Sequence, residues 1–301
     1  MANLRDIKRR IGSVKNTRQI TRAMKMVSGA KLKRAQTRAE GAQPYAKSLD
    51  RVLKQVLASA GEDVSHPLLT SHDKVATVRV ILIGSDKGLC GSFNGGLNRR
   101  TAVWLRETFL EKDIAVQLHT YGKKTVVVYK THKSFVSSKI NVLPEHFGQE
   151  TSDLAATLGP DFESGEVQEV YVAFNAFQSV MIQEPTFLRL LPMAVDPEGA
   201  DTESNASVST TSDDASEIEY KYEPNGAQLL NTLLPLQLQT LLLQAFLDSD
   251  AGEQAARMTA MDSATRNASD LVDRLTLEYN RARQAAITTE IIEIVSGAEA
   301  L

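Results

Sequence analysis

Cysteine is all but missing: Cys90 is the single one in 301 residues. One thiol closes no intramolecular disulfide, and without Cys or His partners at ligand spacing it builds no structural zinc site. The sequence therefore suits a reducing compartment. Long apolar runs are missing too. No stretch approaches the ~20 consecutive apolar residues of a bilayer-crossing helix, and the first residues hold no signal-peptide apolar centre, so an integral membrane protein is not expected. Acid is scarce near the start, where Asp6 is the only acidic residue between positions 5 and 38. Base is absent from 196–219, which is rich in acid, Ser and Thr. This polarity is hidden under a formal net charge of -3 and predicts different partners for the two regions. A basic, amphipathic start also resembles a mitochondrial transit peptide, but the helical pattern beginning at Leu4 outlasts any presequence and reads as mature structure.

What is present is organised by period. A charged fraction of 24% fits a globular chain of one large or two modest domains. Leu4, Ile7, Ile11 and Val14, then Ile20, Met24 and Val27, then Leu49, Val52, Leu53, Val56 and Leu57 advance by threes and fours, the stripe of one long helix. Pro44 is expected to bend it or to begin a new segment. Ala255, Met258, Met261, Ala264, Ala268, Leu271, Leu275, Ala282 and Ala286 repeat the pattern as a coiled-coil seam. This second helix is predicted to start near Gly226 and, if it reaches Val295, to span ~100 Å, a length that is not stable alone in water. Between the two helices, 75–84, 114–122 and 169–177 are β-rich, and 97–112 and 123–132 are helical. The alternation predicts a small α/β domain with a mainly parallel sheet. The expected organisation is thus a shaft from 1–58 and 226–301, an α/β foot from 73–195, and a mobile acidic loop at 196–219.

The segment "GSDKGLCGSFNGG" (84–96) sits between strand and helix, as phosphate-binding loops do. Its glycines at 84, 88, 91 and 95 do not match the dinucleotide spacing, and Lys87 precedes Gly88 instead of following a glycine as in a Walker loop. The preferred reading is a tight turn that needs glycine's backbone freedom. Cys90 has no His nearby in sequence to serve as a base, and the five histidines lie singly between 66 and 146. No self-contained catalytic, cofactor-binding or metal-binding constellation is expected. Two other readings stay open at this point: a basic coiled coil binding nucleic acid or an anionic membrane, and a nucleotide-binding enzyme built on 75–195.

Four segments carry a specific likeness: "IGSVKNTRQITRAMKMVSGAKLKRAQ" (11–36), "GSDKGLCGSFN" (84–94), "EQAARMTAMDSATRNASDL" (253–271) and "NRARQAAITTEIIEIVSGAEAL" (280–301). Together they resemble the gamma subunits of F-type ATP synthases along nearly the whole chain. The resemblance implies a rotor shaft of two antiparallel helices with an inserted Rossmann-like α/β foot. It implies a hexamer of alpha and beta subunits around the shaft, and an epsilon subunit and c ring at the foot. The location it implies is the cytoplasmic face of a bacterial inner membrane, peripheral, with membrane reached only through the complex and no nucleic acid bound.

By the same resemblance, Met24 and Lys25 fall where the shaft meets the beta subunits' acidic lever loops. Arg283 and Gln284 fall on a hydrogen-bonding catch, and Ile287, Ile291 and Ile294 on an apolar tip held in a collar of the hexamer. Tyr220, Tyr222 and Glu223 fall on the turn that touches the c ring. Arg9, Lys15, Arg18, Arg22, Lys25, Arg34 and Arg38 give the shaft a positive field toward those loops. The paired regulatory cysteines of chloroplast relatives are lacking, so no thiol switch is expected, and the family assigns no role to the acidic loop.

Overall fold

The computed structural model describes residues 4–60, 66–193 and 226–299. The first helix, α1, runs from Leu4–Ala60, and the last, α5, from Gly226–Glu299. They pack antiparallel: Arg38 meets Asp250, Lys25 meets Asp262 and Thr21 meets Thr265, so the numbers fall on one helix as they rise on the other. Helical structure continues unbroken through Pro44. Proline removes one amide donor and leaves the Glu40 carbonyl without its helix partner. The flanking turns nevertheless stay helical, because Leu49, Leu53 and Val56 beyond it are anchored in the core.

The seam of α1 departs from the stripe expected for it. Ile7, Leu49, Leu53 and Val56 are buried as the period requires. In the middle, however, Thr21, Ser28, Leu32 and Ala35 face α5, while Ile20 and Val27 are 61% and 57% exposed. Small and hydroxylated residues win the interface there because the backbones approach closely. The Thr21 and Thr265 hydroxyls meet at 2.8 Å, and Ala35 packs with Ala251 and Ala255. The larger side chains one position away are left outside.

Five strands form the foot: β1 (Thr77–Ile83), β2 (Ala115–Tyr121), β3 (Phe135–Lys139), β4 (Glu169–Phe177) and β5 (Gln183–Leu191), in spatial order β3-β2-β1-β4-β5. All neighbours are parallel except β4 and β5, which pair antiparallel as a hairpin. The connecting helices are α2 (Phe93–Thr108), α3 (Lys123–Tyr129) and α4 (Phe147–Glu163).

Alternation along β1 sorts the core into two layers. Val78, Val80 and Leu82 pack with Leu97, Leu105 and Tyr129 of α2 and α3. Ile81 and Ile83 pack with Leu158 and Phe162 of α4 and with Leu230, Leu234, Leu238 and Leu242 of α5. Averaged over 18 residues, α5 is long and apolar enough, by length and composition alone, to cross a membrane, which a search for unbroken apolar runs does not register. About a third of that apolar window is buried, and its fully buried leucines are the lid of the sheet. Burial of each such leucine contributes about 2 kcal/mol.

Candidate functional site

The glycine segment turns at the carboxyl end of β1. Gly84 donates its N–H to the Tyr121 carbonyl at 2.9 Å, and Gly122 stands directly opposite with φ 88°. A Cβ on Gly122 would lie 2.5 Å from the Gly84 oxygen, so the meeting of the two strand ends demands glycine at 122, while a Cβ on Gly84 would run into the Thr125 side chain of α3. The polar residues of the turn are engaged in holding it. The Asp86 carboxylate accepts from the Lys123 and Asn141 amides, both at 2.9 Å, and Asn94 accepts from the Ser85 amide at 3.0 Å. Cys90 is buried, and burial pushes its thiol up, away from the thiolate that nucleophilic chemistry needs. His119 is held down to about 4, first by burial and then by the Arg79 guanidinium, so it is neutral at physiological pH.

Arg257 ties the glycine turn to the shaft. Its side chain is buried, ion-paired with Glu253, and donates to the Gly88 carbonyl at 3.3 Å and the Lys87 carbonyl at 3.5 Å. Two turns of α5 before Arg257, Asp250 takes Arg38 of α1 at 2.9 Å. Burial raises both carboxyls, and the paired guanidiniums pull them back. These two pairs join foot, α1 and α5 at one junction. The resemblance gave Arg38 only a share in the positive field of the shaft and assigned Arg257 no role, although the four-residue spacing of Glu253 and Arg257 was a legible sign of a helical pair.

The predicted contact residues fall at separate stations along the shaft. Met24 is half-buried in an open cleft with Ile20, Val27 and Leu89 on its walls and Lys31 and Lys87 at its edge. Lys25 is already engaged with Asp262 at 2.5 Å, and Asp262 also holds Arg266 at 3.0 Å. Arg283 and Gln284 are exposed on α5. They stand about 30 Å further along the axis than the Lys25 station, at 1.5 Å per residue from Asp262. Continuing the register of Thr21 with Thr265 brings Leu4 opposite about position 282, so Arg283 stands at the end of the described α1. Beyond it, the isoleucines have no companion helix among the described residues: Ile287, Ile291 and Ile294 are 47%, 55% and 70% exposed. Tyr220, Tyr222 and Glu223, like the acidic segment 196–219, lie outside the described residues.

A family model described as ATP synthase matches residues 3–301. The ATP synthase gamma chain of Magnetococcus marinus is 42% identical over 306 residues, covering 100% of this chain and 99% of that one. The gamma chain of Trichlorobacter lovleyi is 43% identical over 301 residues, with the same coverage. The chain belongs to the ATP synthase gamma-chain family. Gamma chains are non-catalytic subunits of their complex, and this membership displaces the reading as a nucleic-acid- or membrane-binding coiled coil. In solved structures the fold matches a chain of the Euglena gracilis mitochondrial ATP synthase OSCP/F1/c-ring, with TM-score 0.63, 16% identity, and 99% of this chain and 94% of that one covered. It also matches a chain of the Tetrahymena thermophila mitochondrial ATP synthase central stalk and c ring, with TM-score 0.59, 21% identity, and 81% and 99% covered. At these identities the likeness is one of fold.

Proposed function

We propose that this chain is the central rotor shaft of an F-type ATP synthase. In this reading the pair α1 and α5 forms the shaft, 73–195 the foot, and the segment 196–219 a separate acidic loop. Ion flow through the membrane sector turns a c ring, the foot turns with it, and the shaft drives the catalytic beta subunits in turn through open, loose and tight states. The partners are an alpha and beta hexamer around the shaft, an epsilon subunit beside the foot, and the c ring beneath it, reached through Tyr220, Tyr222 and Glu223. The bacterial relatives support a place on the cytoplasmic face of the inner membrane, held there by the complex.

The observation that carries this reading is the contrast along α5. Leu230, Leu234, Leu238 and Leu242 near its start are fully buried in the foot, whereas the isoleucines at its tip are about half exposed or more, with no other described element over them. An exposed apolar tip on a long two-helix rod is explained by a sheath supplied by other subunits. A contact without directional bonds can also be turned through. Three identical neighbours are held in different states because two unequal helices give a cross-section without threefold symmetry. Met24, Lys25, Arg283 and Gln284 are the points where load passes between shaft and hexamer; the arginine offers a forked donor set that grips more firmly than the tip does.

The test is a reconstituted complex carrying either a deletion of 283–301 or Met24→Lys. Both are expected to lower ATP-driven proton pumping per ATP hydrolysed and the torque measured on single molecules. Unchanged coupling and torque in both would overturn the assignment of these contacts.

A further inference from the structure

The two long helices do not close on each other everywhere. Around Pro44 of α1, the small side chains Ala39, Ala42 and Ala46 face Leu243 and Leu247 of α5 across a cavity of about 160 Å³; Gln43, Gln239, Thr240 and Gln244 add uncharged polar groups to its wall, and Asp248 is the one charged residue there. That volume is close to the ~150 Å³ apolar cavity able to hold a single benzene-sized guest.

Asp248 differs from the other acids at this end of the α5 seam. Asp250 is paired with Arg38, Glu253 with Arg257 and Asp262 with Lys25. Among the described residues, Asp248 makes no hydrogen bond and no ion pair. Burial alone pushes its carboxyl up to about 6, and no cation stands near enough to pull it back. At neutral pH it is therefore mostly ionised beside an alanine and leucine wall, which is unfavourable unless a positive group arrives.

We propose that this cavity receives an alkylammonium group, with the methylene stem between the alanines and leucines and the ammonium on the Asp248 carboxylate. The occupant is a lysine side chain of a neighbouring subunit. A single carboxylate as the one charge in a mainly apolar wall fits a point charge on a flexible four-carbon stem better than the forked donors of arginine. The choice of a subunit as the source rests on the assembly proposed above; the alkylammonium site itself does not.

Two measurements separate these claims. In the first, n-butylammonium chloride is titrated into the purified full-length chain and followed by calorimetry, with n-butanol as the uncharged control. The ammonium is expected to bind, the alcohol to bind at least about tenfold more weakly, and Asp248→Asn to lose the preference. Ala42→Leu, which fills the cavity and keeps the carboxylate, is expected to lose binding of both, so the result does not hang on one variant's folding. No butylammonium binding by the unaltered chain overturns the site.

In the second, the assembled complex is treated with a water-soluble carbodiimide, which activates a carboxyl held partly protonated, and amide crosslinks are read by mass spectrometry. An Asp248-to-lysine crosslink to another subunit, absent in Asp248→Asn, supports the subunit as source. Butylammonium binding without that crosslink overturns the lysine and leaves a free amine as the occupant.

Discussion

The two ends of α5 are built from the same kind of residue and meet opposite fates. Leu230, Leu234, Leu238 and Leu242 are fully buried under the sheet, whereas from 287 to 295 its isoleucines and valine are about half exposed or more. Apolar residues at helical spacing therefore say only that a face wants covering. Whether the cover is the chain's own sheet or other molecules is settled by what else is within reach, and at the tip neither α1 nor the foot is.

That contrast can be broken by substitution. Leu238→Ala at the covered end is expected to cost about 3 kcal/mol of unfolding free energy, because the removed methyl groups leave a cavity that rigid neighbours on the sheet and α4 cannot close. A urea denaturation of the full chain reads it directly. A loss below 1 kcal/mol would mean the leucine row is not the core it is described to be.

Asp248→Asn tests the same end in the opposite direction. Burial raises this carboxyl's pKa to about 6, so the folded state holds the proton more tightly than the unfolded chain does. Its contribution is full below the unfolded carboxylate value and is lost as pH rises through about 6. The amide escapes that loss. The variant is expected to exceed the unaltered chain by about 1–2 kcal/mol at pH 8, after allowance for partial exposure, and to match it near pH 3.

Between the two ends, Lys25→Met removes the ion pair with Asp262. Both side chains are part-exposed, at 44% and 32%, so only a small loss is expected, and it shrinks further in ~1 M salt. The smallest effect belongs to the tip: Ile291→Ala is expected to shift the stability of the isolated chain by no more than about 0.5 kcal/mol. A large loss there would show that the tip is covered by its own chain.

The sequence made the long helices and three of the strands plain, because each carries an unbroken period. What it hid had physical reasons. Pro185 sits within β5, where an edge strand tolerates the missing donor but a reader of periods takes the proline as a break. Gly159 and Pro160 likewise suggest a break, yet α4 runs through both to Glu163, and Phe147, Thr151, Ala155, Leu158 and Phe162 are buried along it. β3 is short and its residues are mostly exposed, so it carries no apolar alternation to read. In the middle of α1, counting large apolar residues picked Ile20 and Val27, whereas the close approach of two backbones selected Thr21, Ser28 and Ala35. At the candidate site, the tip isoleucines were legible as an uncovered face. The Arg38 anchorage and the reach of Arg257 to the glycine turn were not, because pairing across 212 positions in the first and 169 in the second leaves no local trace.

One continuous peptide, α5, passes from beneath the sheet to the bare tip with no break in its helix from Gly226–Glu299. A twist applied at the base therefore finds no joint at which to slip. The far end trails the near end only by elastic winding, spread over every turn between them, so the springiness of this molecule is a property of the whole rod and not of any single hinge.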